Sequence, residues 1–82
     1  NSPLLARRIR EDLEQLYGIE YADYLEILGE ARVLVKEMIP DEKSRRELFH
    51  KILAIDVIPL LQQGRKTEAK ERFLQCIYSW PD

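Results

Sequence analysis

Residues 21–40 read YADYLEILGEARVLVKEMIP. Apolar residues recur there every three or four positions, which predicts an α-helix from about Tyr21 to Ile39. The apolar side of this helix is wider than about 100°, so we expect the helix to be contacted from two directions. Gly29 lies inside the helix, where glycine is less favourable than alanine by ~1 kcal/mol, and its presence predicts close packing against a neighbouring helix backbone. The apolar side of this helix comprises Tyr21, Tyr24, Leu25, Leu28, Ala31, Val35 and Met38, and it is widened by Ile27, Val33, Leu34 and Ile39.

Residues that typically begin or end helices lie on both sides of this segment and predict further helices. Ser2-Pro3 is typical of an N-cap followed by the first helical residue, and Gly18 is typical of a left-handed C-cap. Pro40 ends the second helix, and Asp41 is a favoured N-cap for a third. The first helix is predicted to be amphipathic, with an apolar stripe formed by Leu5, Ile9, Leu13 and Leu16.

The third helix is predicted to be kinked or broken near Asp56-Pro59, because proline inside a helix removes a hydrogen bond and clashes with the preceding turn. Our preferred interpretation makes Asp56 the N-cap of a new short helix over residues 57–63. The alternative is that Asp56 belongs to a buried ion pair or contacts a partner. A last helix is expected from about Lys66 to Trp80. The predicted fold is all-α, a compact bundle of four to five helices in one domain over residues 1–82, complete or a fragment of a larger protein.

Composition excludes several classes of protein. Hydrophobic residues make up 45% and charged residues 34% of the 82 residues, which is too apolar for a disordered tail and too charged for a membrane protein. The formal net charge of −2 gives no global positive field for nucleic acid or anionic lipid. The single cysteine, Cys76, cannot form an internal disulfide, so we expect a reducing, cytoplasmic location.

Residues that carry chemistry are too few for a self-contained site. Structural zinc needs about four Cys or His ligands, whereas this chain has only Cys76 and His50. Cys76 falls in the apolar phase of the last helix, where cysteine behaves as a small hydrophobe. The three glycines are isolated, so no glycine-rich phosphate loop is present. We therefore expect no catalytic residue, no metal, no cofactor and no small-molecule substrate, and predict that the chain is not an enzyme.

Surplus apolar and aromatic side chains are the positive signal for function. A small bundle has limited interior, and surplus apolar surface is typical of interfaces. Pairing with a second copy would supply the missing core of a marginal domain. We therefore predict a non-catalytic protein–protein interaction domain of adaptor or regulatory type, able to form a homodimer. The candidate partner-binding residues are Tyr21, Tyr24, Ile27, Leu34, Tyr78 and Trp80.

Two alternative functions stay open at this point. A nucleic-acid-binding or transcription-regulatory domain would use basic residues of the third helix, with Arg45, Arg46 and Lys51 as candidates. A small helical ribonuclease or toxin fragment is the second alternative, because the run from Arg45 to His50 resembles the arginine–four residues–histidine pattern of HEPN-type ribonucleases. No catalytic residue is assigned from that resemblance.

Overall fold

A computed structural model describes residues 3–81, which form five α-helices. The described residues contain no strand, so the predicted all-α bundle of four to five helices is confirmed. The predicted cap at Ser2 lies outside the described residues. In chain order the helices are α1 (Pro3–Tyr17), α2 (Ile19–Met38), α3 (Glu42–Leu53), α4 (Ile58–Gln62) and α5 (Lys66–Tyr78).

The core lies between α2 and the three helices that follow it. Contacts join α2 to α3, α4 and α5, and α5 also packs against α3 and α4. The ring of Tyr24 meets that of Phe73 edge-on, with 6.3 Å between centroids. Complete burial of one such apolar side chain contributes ~1.5–3 kcal/mol, so these four helices form the stable part of the chain. The core residues are Ile27, Ala31, Val35, Leu48, Ile52, Val57, Leu61, Ala69, Phe73 and Ile77.

Local residues set the junction between α2 and α3 as predicted. Ile39 has an extended backbone, as expected for a residue before proline, and its amide donates to the carbonyl of Val35. The carboxylate of Asp41 accepts a hydrogen bond from the backbone N–H of Ser44 at 2.9 Å. Asp41 is therefore the N-cap of α3, as its side-chain chemistry predicted.

The predicted break near Asp56-Pro59 is present, because α3 ends at Leu53 and α4 begins at Ile58. The prediction that Asp56 caps the new helix is wrong: Val57 takes the cap position, and α4 has no side-chain cap bond. Asp56 is exposed, so it also has no place in a buried ion pair. Pro59 lies in the first turn of α4, where a missing N–H leaves no helical bond unmade.

Helix α1 is attached differently from the others. It contacts α2 and no other helix, and none of its residues is buried. The two helices are joined at Gly18, whose φ of 96° lies in the region that favours glycine. Ala22 of α2 is 3% exposed but stands outside the main core cluster. The contact between α1 and α2 is therefore a shallow one, added to one side of the core.

The described chain is flat, with principal extents of 37 × 31 × 16 Å. Packed helices are spaced about 8–10 Å apart, so the short dimension accommodates about two layers of helices.

Candidate interaction surface

The apolar stripe of α1 is turned to the outside. Leu5 is 58%, Ile9 50% and Leu16 73% exposed. They are four and seven residues apart, which places them on one side of the helix, whereas Leu13, the remaining member of the stripe, is half-buried. An amphipathic helix normally buries this stripe against its own domain, whereas here half or more of each of these three side chains is exposed.

Helix α2 extends this exposed surface. Tyr21 and Leu25 are 41% and 47% exposed, and the ring of Tyr21 lies 5.6 Å from that of Tyr17, centroid to centroid. We call the combined surface the apolar face. Its members are Leu5, Ile9, Leu16 and Tyr17 of α1 and Tyr21 and Leu25 of α2.

A group of charged side chains holds α1 against α2. Arg10 of α1 pairs with Asp23 at 3.2 Å and Glu26 at 3.4 Å, and also with Glu14 of its own helix at 3.0 Å. Lys66 of α5 contacts the same two carboxylates of α2, Asp23 and Glu26. These five residues, the charged cluster, link α1, α2 and α5.

The charged cluster lies away from the leucines of the apolar face on each helix. Arg10 is roughly 140° around α1 from Leu5, and Asp23 is roughly 160° around α2 from Leu25, at 3.6 residues per turn. The ion pairs therefore hold α1 on α2 through a side of each helix that does not carry these leucines.

The basic members of the charged cluster are held in their charged form. The hydrogen bond to Glu26 raises the pKa of Lys66, and the nearby charge of Asp23 adds to this effect. Partial desolvation opposes ionisation of Arg10, but its hydrogen bond to Asp23 and the charges of Glu26 and Glu14 raise its pKa overall. Arg10 and Lys66 therefore keep their positive charges across the neutral range.

The six predicted partner-binding residues do not form one surface. Tyr21 lies on the apolar face. Ile27 is 1% exposed and belongs to the core, so it is not available to a partner. Tyr24 and Leu34 are half-buried against the same core.

The two residues predicted at the end of the chain lie elsewhere. Tyr78, at the end of α5, is 65% exposed. Trp80 is half-buried, and the ammonium of Lys51 lies 5.3 Å from its ring centroid. Neither belongs to the apolar face.

Sequence reasoning missed most of the apolar face. Leu5, Ile9, Leu16 and Leu25 were placed on apolar helix faces but not named as partner-binding residues, because their helical spacing is the same for a core and for an interface. The available signal was the size of the chain. A domain of 82 residues buries only part of its surface, so an amphipathic first helix beside a second helix with a very wide apolar side indicates apolar surface left for a partner.

The basic residues of α3 are engaged within the chain. The guanidinium of Arg45 donates to the carbonyl of Ile39 at 2.6 Å and to that of Lys36 at 3.2 Å, which satisfies the end of α2. Arg46 pairs with Glu42 at 3.5 Å. With Lys51 above Trp80, these three residues do not form a basic stripe.

Residues 3–81 contain neither a cluster of metal-ligating side chains nor a membrane-spanning helix. No group of three or more His, Cys, Asp or Glu side chains is placed to hold a metal ion. None of the five helices is both long and apolar enough to cross a membrane.

The apolar face leaves α1 and α2 with a surface that suits another helix, and comparison with known proteins identifies the family. The family described as the sirohaem synthase dimerisation region matches residues 20–77. The chain belongs to this family. The matched range covers all of α3 and α4 and nearly all of α2 and α5.

Curated relatives of this dimerisation-region chain are enzymes. It is 38% identical over 77 residues to a precorrin-2 dehydrogenase of Priestia megaterium, covering 93% of this chain and 35% of that protein. It is 34% identical over 74 residues to a siroheme synthase of a Psychrobacter species, covering 90% of this chain and 15% of that protein. A siroheme synthase of Thioalkalivibrio sulfidiphilus is 32% identical over 71 residues, or 87% of this chain and 14% of that protein. No solved structure gives a significant match.

These findings correct the predicted function. The prediction of a non-catalytic adaptor or regulatory domain is wrong, and so are the nucleic-acid-binding and ribonuclease alternatives, because the family is a dimerisation region of sirohaem synthase. The prediction that the chain is not an enzyme is also wrong, since its relatives are enzymes of which it spans about a third of the length or less. The expectation of no small-molecule substrate is not supported, because these relatives are enzymes. The prediction of self-association agrees with the family description.

Proposed function

We propose that this chain is the dimerisation region of an enzyme of the precorrin-2 dehydrogenase or sirohaem synthase kind, and that two copies pair through the apolar face. The observation that carries the proposal is the exposed apolar surface of α1 and α2, with Leu16 73% and Leu25 47% exposed, beside the match of residues 20–77 to a family described by dimerisation. The activity and substrate of the longer protein follow from the relatives' names and belong to the same proposal.

Physical chemistry favours this face over the rest of the surface. Removing apolar surface from water is worth about 25 cal/mol per Å², and several adjacent leucine and tyrosine side chains are available to a partner here. The fold itself gains little from them, because α1 buries no residue within the chain. A second copy would therefore supply the covering layer that the described residues lack.

The charged cluster supports the same proposal by holding α1 against α2. Its ion pairs are partly exposed, so each contributes modestly to stability, but together they define one orientation of α1 on α2. A preoriented apolar face costs less conformational entropy to dock than a mobile one.

The proposal also places the protein in the cytoplasm. This location is proposed because the single cysteine, Cys76, is free and half-buried, which suits a reducing compartment.

A pair of matched variants tests the dimer. Leu16→Lys and Leu53→Lys make the same chemical change in the last turn of α1 and of α3, and both leucines are exposed, at 73% and 47%. Sedimentation equilibrium should give a dimer for the wild-type chain and for Leu53→Lys, and a monomer with unchanged helical circular dichroism for Leu16→Lys. A wild-type chain that stays monomeric at every concentration, or a Leu16→Lys variant that dimerises as tightly as wild type, would overturn the proposal.

A further inference from the structure

Gly29 lacks the neighbour that its sequence context predicts. It lies in the interior of α2, is exposed, and a Cβ atom added to it would meet no atom within 4 Å outside its own helix. The prediction that Gly29 packs closely against another helix is therefore wrong within this chain. Glycine is unfavourable in a helix interior compared with alanine, and nothing in the described residues offsets that disadvantage.

The surroundings of Gly29 have the form of a notch. Leu25 and Val33, four residues before and after it, are 47% and 58% exposed. Residues four apart form a ridge on a helix surface, and a missing side chain in the ridge leaves a gap into which another helix can fit. Tyr21 continues the ridge towards the apolar face, so the notch and that face are contiguous.

We propose that α2 of a second copy crosses α2 at Gly29, with the two backbones in close approach and with Leu25 and Val33 closing around the crossing point. This inference rests on the proposed dimer and names the contact at its centre. In a two-fold dimer the same patch serves both copies, so a residue next to the symmetry axis meets its own counterpart. A position without a side chain, flanked on both sides by apolar residues, fits that requirement.

The inference predicts opposite effects of one substitution on the monomer and the dimer. Gly29→Ala should raise the melting temperature measured well below the dimer dissociation constant, because alanine favours the helix and its Cβ meets no atom of the same chain. The same methyl group should weaken dimerisation at least tenfold by separating the two backbones. Gly29→Leu should weaken it further.

Sedimentation equilibrium over a range of concentrations, with circular dichroism melts at the lowest, measures both effects. Gln75→Leu is the matched control, since it places a leucine at an exposed position of α5 and should leave the dissociation constant within twofold of wild type. A Gly29→Ala dimer as tight as wild type, or tighter, overturns this inference while the proposed dimer stands. A monomeric wild-type chain overturns the proposed function itself, so the two failures are distinguishable.

Discussion

Two isoleucines, Ile27 and Ile9, offer the same substitution in two environments. Ile27 is 1% exposed in the core, whereas Ile9 is 50% exposed on the apolar face. We expect Ile27→Ala to act on folding and Ile9→Ala to act on association. The chemical change is identical, so only the surroundings differ.

The structure sets the size of each effect. Replacing a fully buried isoleucine by alanine costs ~2–5 kcal/mol of unfolding free energy, a large share of the total for a domain of this size. Burying a whole isoleucine contributes ~1.5–3 kcal/mol, so the exposed half of Ile9 leaves about 1 kcal/mol for a partner to gain. A two-fold dimer contains this residue twice. The loss is then about 2 kcal/mol per dimer, or about 30-fold in the dissociation constant.

Two measurements separate the effects. Urea denaturation is performed below the dimer dissociation constant, because association would otherwise raise the apparent stability. Sedimentation equilibrium then gives the dissociation constant of each variant that folds. An Ile9→Ala variant that loses as much unfolding free energy as Ile27→Ala, or that dimerises within twofold of wild type, would refute the reasoning.

Two further predictions concern the cap of α3 and the attachment of α1. The hydrogen bond from the Ser44 amide lowers the pKa of Asp41, so its contribution to stability is present above the ordinary aspartate pKa and is lost as pH falls through the lowered value. Melting temperatures followed from neutral to acid pH should fall less for Asp41→Asn, which keeps the cap without the charge. Arg10→Gln should speed amide hydrogen exchange in α1 and leave α5 unchanged, since Arg10 makes the ion pairs that hold α1 to α2. Equal protection of α1 in wild type and variant would contradict this.

The helices could be predicted where single residues decide the local backbone. Gly18 adopts a positive φ, Pro40 extends the residue before it, and Asp41 accepts a hydrogen bond from its own helix. Each of these effects is carried within a few residues of sequence. The cap predicted at Asp56 failed because the chain packs Val57 inwards at that point, fully buried, which tertiary contacts decide.

The candidate interface could be predicted only in outline. Periodicity assigned Ile9 and Ile27 to apolar helix faces, but it does not record which face meets the chain's own core and which meets another molecule. That distinction depends on how many layers the fold contains. Tyr21 and Ile27 were both predicted as partner contacts because both lie on the broad apolar side of α2, but Tyr21 is exposed whereas Ile27 is buried.

The exposed leucines of the chain have a consequence for a protomer that has lost its partner. With Leu5 58%, Leu16 73% and Leu25 47% exposed, these side chains stay in contact with water until assembly occurs. Such surfaces bind chaperones and proteases, and unassembled chains are removed by quality control. The amount of this protein in a cell should therefore follow its rate of pairing as closely as its rate of synthesis.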